Sequence, residues 1–343
     1  MSPSNEPNRD YRYLGRSALR VSPLCLGTMM FGGATDEATS RRIVDKARDQ
    51  GVNFIDTADA YNGGKSEEVV GRAIRDQRHH WVLATKFGQP KGKGPNEGGQ
   101  SRKWIFQDVE DSLRKLGTDY IDLLYFHKAD VYAPFEEGLR AIQDLMAQGK
   151  LRYYGVSNFK GWRIAEICRA ADAVGMDQPI ASQPLYNMVD RLSEVEQLPA
   201  AGHYGLGVVP YSPLARGVLT GKYAKGAPPP EGSRVARGDT RMKQTEWRAE
   251  SVDIAQAVAT HAASKGMSTV AFALAWVLKN RFVSAAIAGP RTEEQWDGYL
   301  PALHAQLGPD DEAFVDSLVP PGHASTPGYT DPAYPIEGRQ LRF

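Results

Sequence analysis

Apolar residues gather in short uninterrupted runs at 23–27, 52–55, 81–85, 121–126, 151–156, 180–183, 207–211 and 283–288. Runs of this kind, rather than alternation, are the signature of parallel strands covered on both faces. Helical spacing appears between them. Asp36 can cap a segment carrying Ile43, Val44 and Ala47 that stops at Gly51. Ser101 precedes Ile105, Val109, Leu113 and Leu116, and that segment stops at Gly117. Segments 135–148 and 162–174 stop at Gly149 and Gly175. Each glycine stands where a helix takes a left-handed residue after its last turn, and in three cases a strand follows almost at once. The period is roughly 30 residues, and eight such strands suffice to close a (β/α)8 TIM barrel.

Ahead of this array, 11–14 and 19–22 flank Gly15-Arg16-Ser17, which predicts an N-terminal β-hairpin. A doubly wound Rossmann sheet is the rival fold, and it wants Gly-x-Gly-x-x-Gly straight after an early strand. Gly205-Leu206-Gly207 precedes its strand and lacks the third glycine, so the barrel is preferred.

Three stretches break the period. Residues 89–100 are rich in Gly and Lys and predict a mobile loop on the active-site face. Residues 222–250 carry Pro228–Pro230 and many charges, which reads as a flap over a ligand or a variable loop. The tail holds Tyr329, Tyr334 and Phe343 and is too apolar for disorder. The expected organisation is a flexible arm at 1–10, the barrel at 11–318, and a tail at 319–343 packed on the barrel.

Composition narrows the function. Lys plus Arg equals Asp plus Glu, 41 each, so no net field draws polyanions or anionic lipid, and neither nucleic acid nor membrane is an expected partner. Cys25 and Cys168 make neither a disulfide framework nor a metal spacing, and no metal is expected. The N-terminus has no apolar core of a leader and no run approaches about 18 apolar residues, so a cytoplasmic protein is expected.

The strand ends hold the chemistry. The second ends in Asp56, with Tyr61 close behind; the third runs into Lys86 and the fourth into His127. The fifth leads to Ser157 and Asn158, the sixth to Gln183, the seventh to Tyr211 and Ser212. Each alone has an ordinary explanation, such as a cap for Asp or a snorkelling surface Lys. Together on successive strand ends of a barrel they face one mouth. Reducing a carbonyl needs a proton for the developing alkoxide. Tyr is a weak acid, and a neighbouring ammonium stabilises its phenolate. Lys86 supplies that ammonium, Asp56 holds it, and His127 can donate to the substrate oxygen. No residue is a hydride donor, so a cofactor is required.

The motifs Gly-Val-Asn-Phe-Ile-Asp-Thr-Ala-Asp-Ala-Tyr (51–61), Ala-Thr-Lys-Phe (84–87), Tyr-Ile-Asp-Leu-Leu-Tyr-Phe-His (120–127), Gly-Val-Ser-Asn-Phe (155–159) and Tyr-Ser-Pro-Leu-Ala-Arg-Gly-Val-Leu-Thr-Gly-Lys-Tyr (211–223) resemble the aldo-keto reductases from about residue 11 to 318. Within them the likeness is to the group that includes potassium-channel β subunits. The resemblance implies a nicotinamide cofactor bound without a Rossmann fold and a tetrad of Asp56, Tyr61, Lys86 and His127, with Tyr61 the proton donor. It assigns Ser157, Asn158 and Gln183 to the carboxamide, Tyr211 to the ring, and Ser212, Leu214 and Arg216 to the pyrophosphate. Gly27, Thr28 and Met29 fall near the cofactor ribose. Gly289 opens a helix N-terminus, Arg291 can pair with an adenosine 2′-phosphate, and Gln295 can meet the adenine. Tyr299 stands where many relatives have Asn. NADP(H) is the expected cofactor, with NAD(H) as the alternative.

The leading expectation is an NADPH-dependent reductase of aldehydes or ketones, reversible in direction. The alternatives are an NAD(P)+-dependent dehydrogenase of a sugar or secondary alcohol, and a cofactor-binding regulatory subunit like the channel β subunits. A small carbonyl or alcohol is the expected partner, and a homo-oligomer is compatible. Met29, Met30, Phe31, Phe87 and Trp247 line an apolar mouth or pack beneath loops. Gly217 to Tyr223 approaches a P-loop, but it is one residue short and no Ser or Thr follows Lys222.

Overall fold

The computed structural model describes residues 11–130 and 132–335; the expected arm at 1–10 and Phe343 lie outside the described residues. In chain order the first elements are β1 (Arg12–Tyr13), β2 (Arg20–Val21), β3 (Leu24–Gly27), α1 (Glu37–Asp49), β4 (Phe54–Asp56), α2 (Lys65–Ile74), β5 (Val82–Phe87), α3 (Arg102–Leu116), β6 (Ile121–Phe126) and α4 (Phe135–Ala147). They are followed by β7 (Leu151–Ser157), α5 (Gly161–Ala173), β8 (Ala181–Gln183), α6 (Gln197–Tyr204), β9 (Gly207–Val208), α7 (Thr240–Gln244), α8 (Ala249–Ser264), α9 (Thr269–Lys279), β10 (Ala286–Ala288), α10 (Glu293–Asp297) and α11 (Pro309–Leu318).

β1 and β2 form the expected antiparallel hairpin, with Arg12 opposite Val21. The other eight strands run parallel in the order β10-β3-β4-β5-β6-β7-β8-β9. The circle closes where Val208 bridges Val283 in parallel and Ile287 N donates to Pro210 O at 3.0 Å. This is the (β/α)8 barrel. Its interior is filled by Cys25, Phe54, Val82, Ala84, Leu123, Tyr125, Ala181, Val209 and Ala285. Leu14 and Val21 of the hairpin, both fully buried, join that cluster. Gly155 matters here because a Cβ would meet Tyr125 Cε1 at 2.7 Å, so its missing side chain leaves room for the ring.

The caps sit where the sequence places them. Asp36 accepts from Thr39 N at 2.8 Å and Ser101 from Trp104 N at 3.3 Å. Gly117 ends α3 at φ +61°, a conformation costly for any residue with a Cβ. Sequence spacing did not single out α2 and α6. α2 enters from Gly64 and α6 from Glu196, and neither has a side-chain cap to announce it. The seventh strand is shorter than its apolar run, two residues rather than five, because Pro210 has no N–H to extend the ladder.

The chain divides into two compact units. The first holds all ten strands with α1 to α6 and α10. The second consists of 185–195, 212–279 and the residues from Tyr299 on, with α7, α8, α9 and α11. Within the second unit the tail is strapped down. Ser325 N donates to Val189 O at 2.9 Å, Arg241 pairs with Asp331 at 2.6 Å, and the Arg248 guanidinium lies 3.9 Å over the Tyr329 ring.

Gly71 of α2 faces α3 so closely that a Cβ would lie 2.2 Å from Leu116 O. Gly to Ala inside a helix ordinarily stabilises by about 1 kcal/mol. Here Gly71→Ala is expected to destabilise by about 1–3 kcal/mol through overpacking, read as a lowered urea midpoint.

Candidate active site

Side chains alternate along a strand, so a residue two positions past an interior one also points inward. Applied to the barrel, this rule takes Phe54 to Asp56, Ala84 to Lys86, Ala181 to Gln183 and Cys25 to Gly27. Just past the strand ends it takes Tyr125 to His127 and Val209 to Tyr211. The polar residues are one pleat further along the strands that build the apolar core. Asp56, Lys86 and Gln183 share its burial, with Asp56 2% exposed and Lys86 1%, while His127 and Tyr211 at the rim are half-buried.

A buried ammonium needs a partner. Lys86 Nζ donates to Asp56 Oδ1 at 2.5 Å and to Thr57 O at 2.7 Å. Gln183 Nε2 donates to the other carboxylate oxygen of Asp56 at 3.0 Å. Burial pushes the Asp56 carboxyl up, against the pull of Lys86 and Gln183. For Lys86 burial works downward, but Asp56 and then Tyr61 outweigh it and hold the ammonium above its ordinary value.

Tyr61 follows β4 in a tight turn in which Asn62, Gly63 and Gly64 all adopt positive φ. Asn62 pins that turn by donating to Met29 O and Phe31 O at 2.9 and 2.8 Å. Lys86 Nζ lies 4.9 Å from the Tyr61 ring centre and is hydrogen-bonded with its side chain. The His127 ring meets the Tyr61 ring edge-on at 6.1 Å between centres. Burial, then Lys86 and Lys128, lower His127 to about 3, so the imidazole is neutral across the working range. Its Nδ1 is buried and makes no hydrogen bond.

The amides form a chain beside these four. Ser157 Oγ donates to Gln183 O at 2.9 Å, Asn158 Nδ2 donates to His127 O at 2.9 Å, and Tyr211 Oη donates to Asn158 Oδ1 at 2.7 Å. A carboxamide ligand needs donors and acceptors together, and this set offers both. Thr28 Oγ1 donates to Asp56 O at 2.9 Å, and Met29 O receives Asn62. Gly289 lies against Gly27, its Cβ position 3.6 Å from Gly27 O. Arg291 N donates to Gln295 Oε1 at 2.8 Å, and Thr35 Oγ1 donates to Arg291 O. The first unit thus holds every residue expected in the tetrad or at the cofactor except Ser212, Leu214 and Arg216.

Those three belong to the second unit. There Ser212, Ala215, Arg216 and Gly217 all take positive φ, and the turn is closed by Ala215 N donating to Ser212 O and Gly217 N to Leu214 O, both at 2.8 Å. Arg216 pairs with Glu246 at 3.0 Å. Burial and then the Arg216 charge lower Arg234, so two guanidiniums are held near each other. Each also has its own carboxylate, Glu246 for Arg216 and Asp239 for Arg234 at 3.4 Å. Sequence reading missed Arg234, which lies in the Pro-rich 222–250 stretch without periodicity. Tyr299 is buried, and Trp247 packs edge-on against Tyr223.

Of the two readings of Phe31 and Phe87, packing beneath loops is the one observed: both are buried, and Phe87 packs on Phe126 at 4.7 Å. The 89–100 loop makes inward contacts near its two ends, with Lys91 paired to Asp59 and Asp108 and Gln100 donating to Lys128 O. No helix among the described residues is long and apolar enough to cross a membrane.

A sequence model of the aldo/keto reductase family matches residues 23–320. The chain is 37% identical over 330 residues to an uncharacterized oxidoreductase, YrpG, of Bacillus subtilis (strain 168), covering 93% of this chain and 98% of that protein. It is 39% identical over 293 residues to a probable voltage-gated potassium channel subunit beta of Arabidopsis thaliana, covering 83% and 88%. A protein of the same description in Oryza sativa subsp. japonica is 37% identical over 290 residues, again covering 83% and 88%.

A neutral His127 has a measurable consequence. Its folded value lies below the ordinary 6.5, so the unfolded chain takes up a proton first, and stability from this group is lost as pH falls from 6.5 toward about 3. NMR titration of the imidazole is expected to show no protonation between pH 7 and 5. An inflection near 6.5 would contradict it.

Proposed function

Because the chain belongs to the aldo/keto reductase family, we propose that it is an NADPH-dependent oxidoreductase that reduces an aldehyde or ketone to an alcohol, reversibly. The observation that carries this reading is the Lys86 ammonium, held by Asp56 at 2.5 Å and set beside the Tyr61 ring at one end of the barrel. NADPH, when bound, supplies the hydride that reaches the carbonyl carbon. The chain's residues handle the proton. Tyr61 gives its hydroxyl proton to the carbonyl oxygen, and Lys86 stabilises the phenolate that remains. Asp56 keeps Lys86 charged and aimed. His127, being neutral, can donate a hydrogen bond to the substrate oxygen without competing as an acid. In the alcohol-oxidising direction the same groups act in reverse.

Ser157, Asn158 and Gln183 would hold the carboxamide, and Tyr211 would lie against the ring. Thr28, Met29 and the glycines at 27 and 289 would border the sugar. Ser212, Leu214 and Arg216, with Arg234, would receive the phosphates. Arg291 favours NADP(H) over NAD(H). The second reading, a cofactor-binding regulatory subunit, is favoured by the relatives described as channel β subunits. A broad carbonyl panel without turnover, together with a stable complex with a channel protein, would select it.

Purified protein is expected to oxidise NADPH in the presence of 4-nitrobenzaldehyde. Tyr61→Phe is expected to lower kcat by about 10²–10⁴-fold while NADPH affinity stays within twofold. Full turnover in that variant would refute the assignment of the proton donor.

A further inference from the structure

Beside the tetrad lies a buried charge cluster that the reaction does not use. Asp59 sits between Asp56 and Tyr61 and is 1% exposed; Asp108 of α3 is equally buried. Lys91, from the loop after β5, turns its ammonium between them, 3.3 Å from Asp59 Oδ2 and hydrogen-bonded to Asp108 Oδ1. Yet both Asp59 oxygens and Asp108 Oδ2 are buried and receive no N–H or O–H donor. One ammonium cannot satisfy two adjacent buried carboxylates. A proton shared between them can, since it turns one acid into a donor for the other.

We propose that Asp59 is a positioning residue carried as a neutral acid, sharing one proton with Asp108, and that Lys91 clamps this pair to hold the 56–61 segment against α3 and the loop after β5. Its effect on turnover rests on the reductase reading; the shared proton does not. The backbone supports the clamp, because Asp59 N donates to Lys86 O at 3.2 Å and Tyr61 N to Ala58 O at 3.1 Å. Asp59 therefore ties the Tyr61 turn to the strand that carries Lys86. Other charges face the cluster. Glu67 of α2 is buried and accepts from Thr85, with Lys115 of α3 at 3.9 Å, while Asp56 and Lys86 are occupied with each other. Burial, then Asp108, pushes Asp59 up to about 8. Lys91 goes above its ordinary value because Asp59 and Asp108 outweigh the burial that works against it.

The sign of the pH dependence follows. Asp59 rises from 3.8 in the ordinary state to about 8 in the fold, so its contribution to stability is complete below 3.8 and is lost as pH climbs toward 8. Asn cannot ionise and still donates to Asp108. Thermal unfolding of the full chain and of Asp59→Asn across pH 5–9 should show the variant gaining on the wild type up to pH 8, with the gap level beyond. A gap that does not change with pH, or that shrinks, would overturn the shared proton. The positioning claim is read by kinetics. Lys91→Met is expected to lower kcat about tenfold with NADPH affinity unchanged, the loss of one charge-assisted hydrogen bond, and Lys91→Arg should recover most of it. Unchanged kcat in Lys91→Met, or an Arg variant as impaired as the Met one, would overturn the clamp. A wild-type protein with no turnover on any carbonyl would instead refute the reductase reading, and the unfolding series would still decide the shared proton.

Discussion

An ammonium with 1% exposure is tolerable only if a carboxylate is delivered to it, and that requirement organises this molecule. Lys86 and Asp56 come from neighbouring parallel strands, and the pleat points both inward above the packed interior. Removing either partner would strand the other as a buried charge, a loss of about 3–5 kcal/mol. Such a pair is a poor way to stabilise a barrel that hydrophobic residues could fill. On the proposed function, its value lies in holding positive charge fixed where a phenol would give up its proton. Gln183, from the far side of the barrel, satisfies the second Asp56 oxygen and keeps the carboxylate from rotating.

Around that pair the site sorts its ionisable groups by environment. Lys86 is raised by its partners, while His127 is lowered to about 3 by burial and by Lys86 itself. One cation thus silences the histidine as an acid and supports the tyrosine. In the proposed reaction a charged His127 would compete with Tyr61 as proton donor, and a neutral one would not. The Asn62 turn, in its strained left-handed backbone, is held by two bonds to the loop after β3 and sets where the phenol can go.

Much of this was legible in the sequence. Parallel strands buried on both faces announce themselves as continuous apolar runs, and all eight lie where those runs fall. Asp36, Ser101 and Gly117 mark helix ends by side-chain and backbone chemistry that acts locally, so they too could be read. The strand-end residues were visible because barrel topology converts sequence position into spatial convergence. What escaped depended on long-range contact. α2 has a glycine at its cap rather than a polar side chain. Phe31 and Phe87 could line a mouth or pack beneath loops, and only the packing of the fold selects the second. Lys91 reads as a loop charge, and only the fold reveals Asp59 and Asp108 waiting for it. Arg234 lies in a segment without period, so no local pattern could connect it to Arg216.

The central claim is that Lys86, fixed by Asp56, bears on the Tyr61 oxygen when cofactor is present. A crystal structure of the NADP+ complex measures this directly. The account predicts Tyr61 Oη within about 3.2 Å of Lys86 Nζ, with the Asp56 contact retained. A Lys86 side chain turned away from the phenol, or a separation beyond about 4.5 Å with no bridging water, would contradict it.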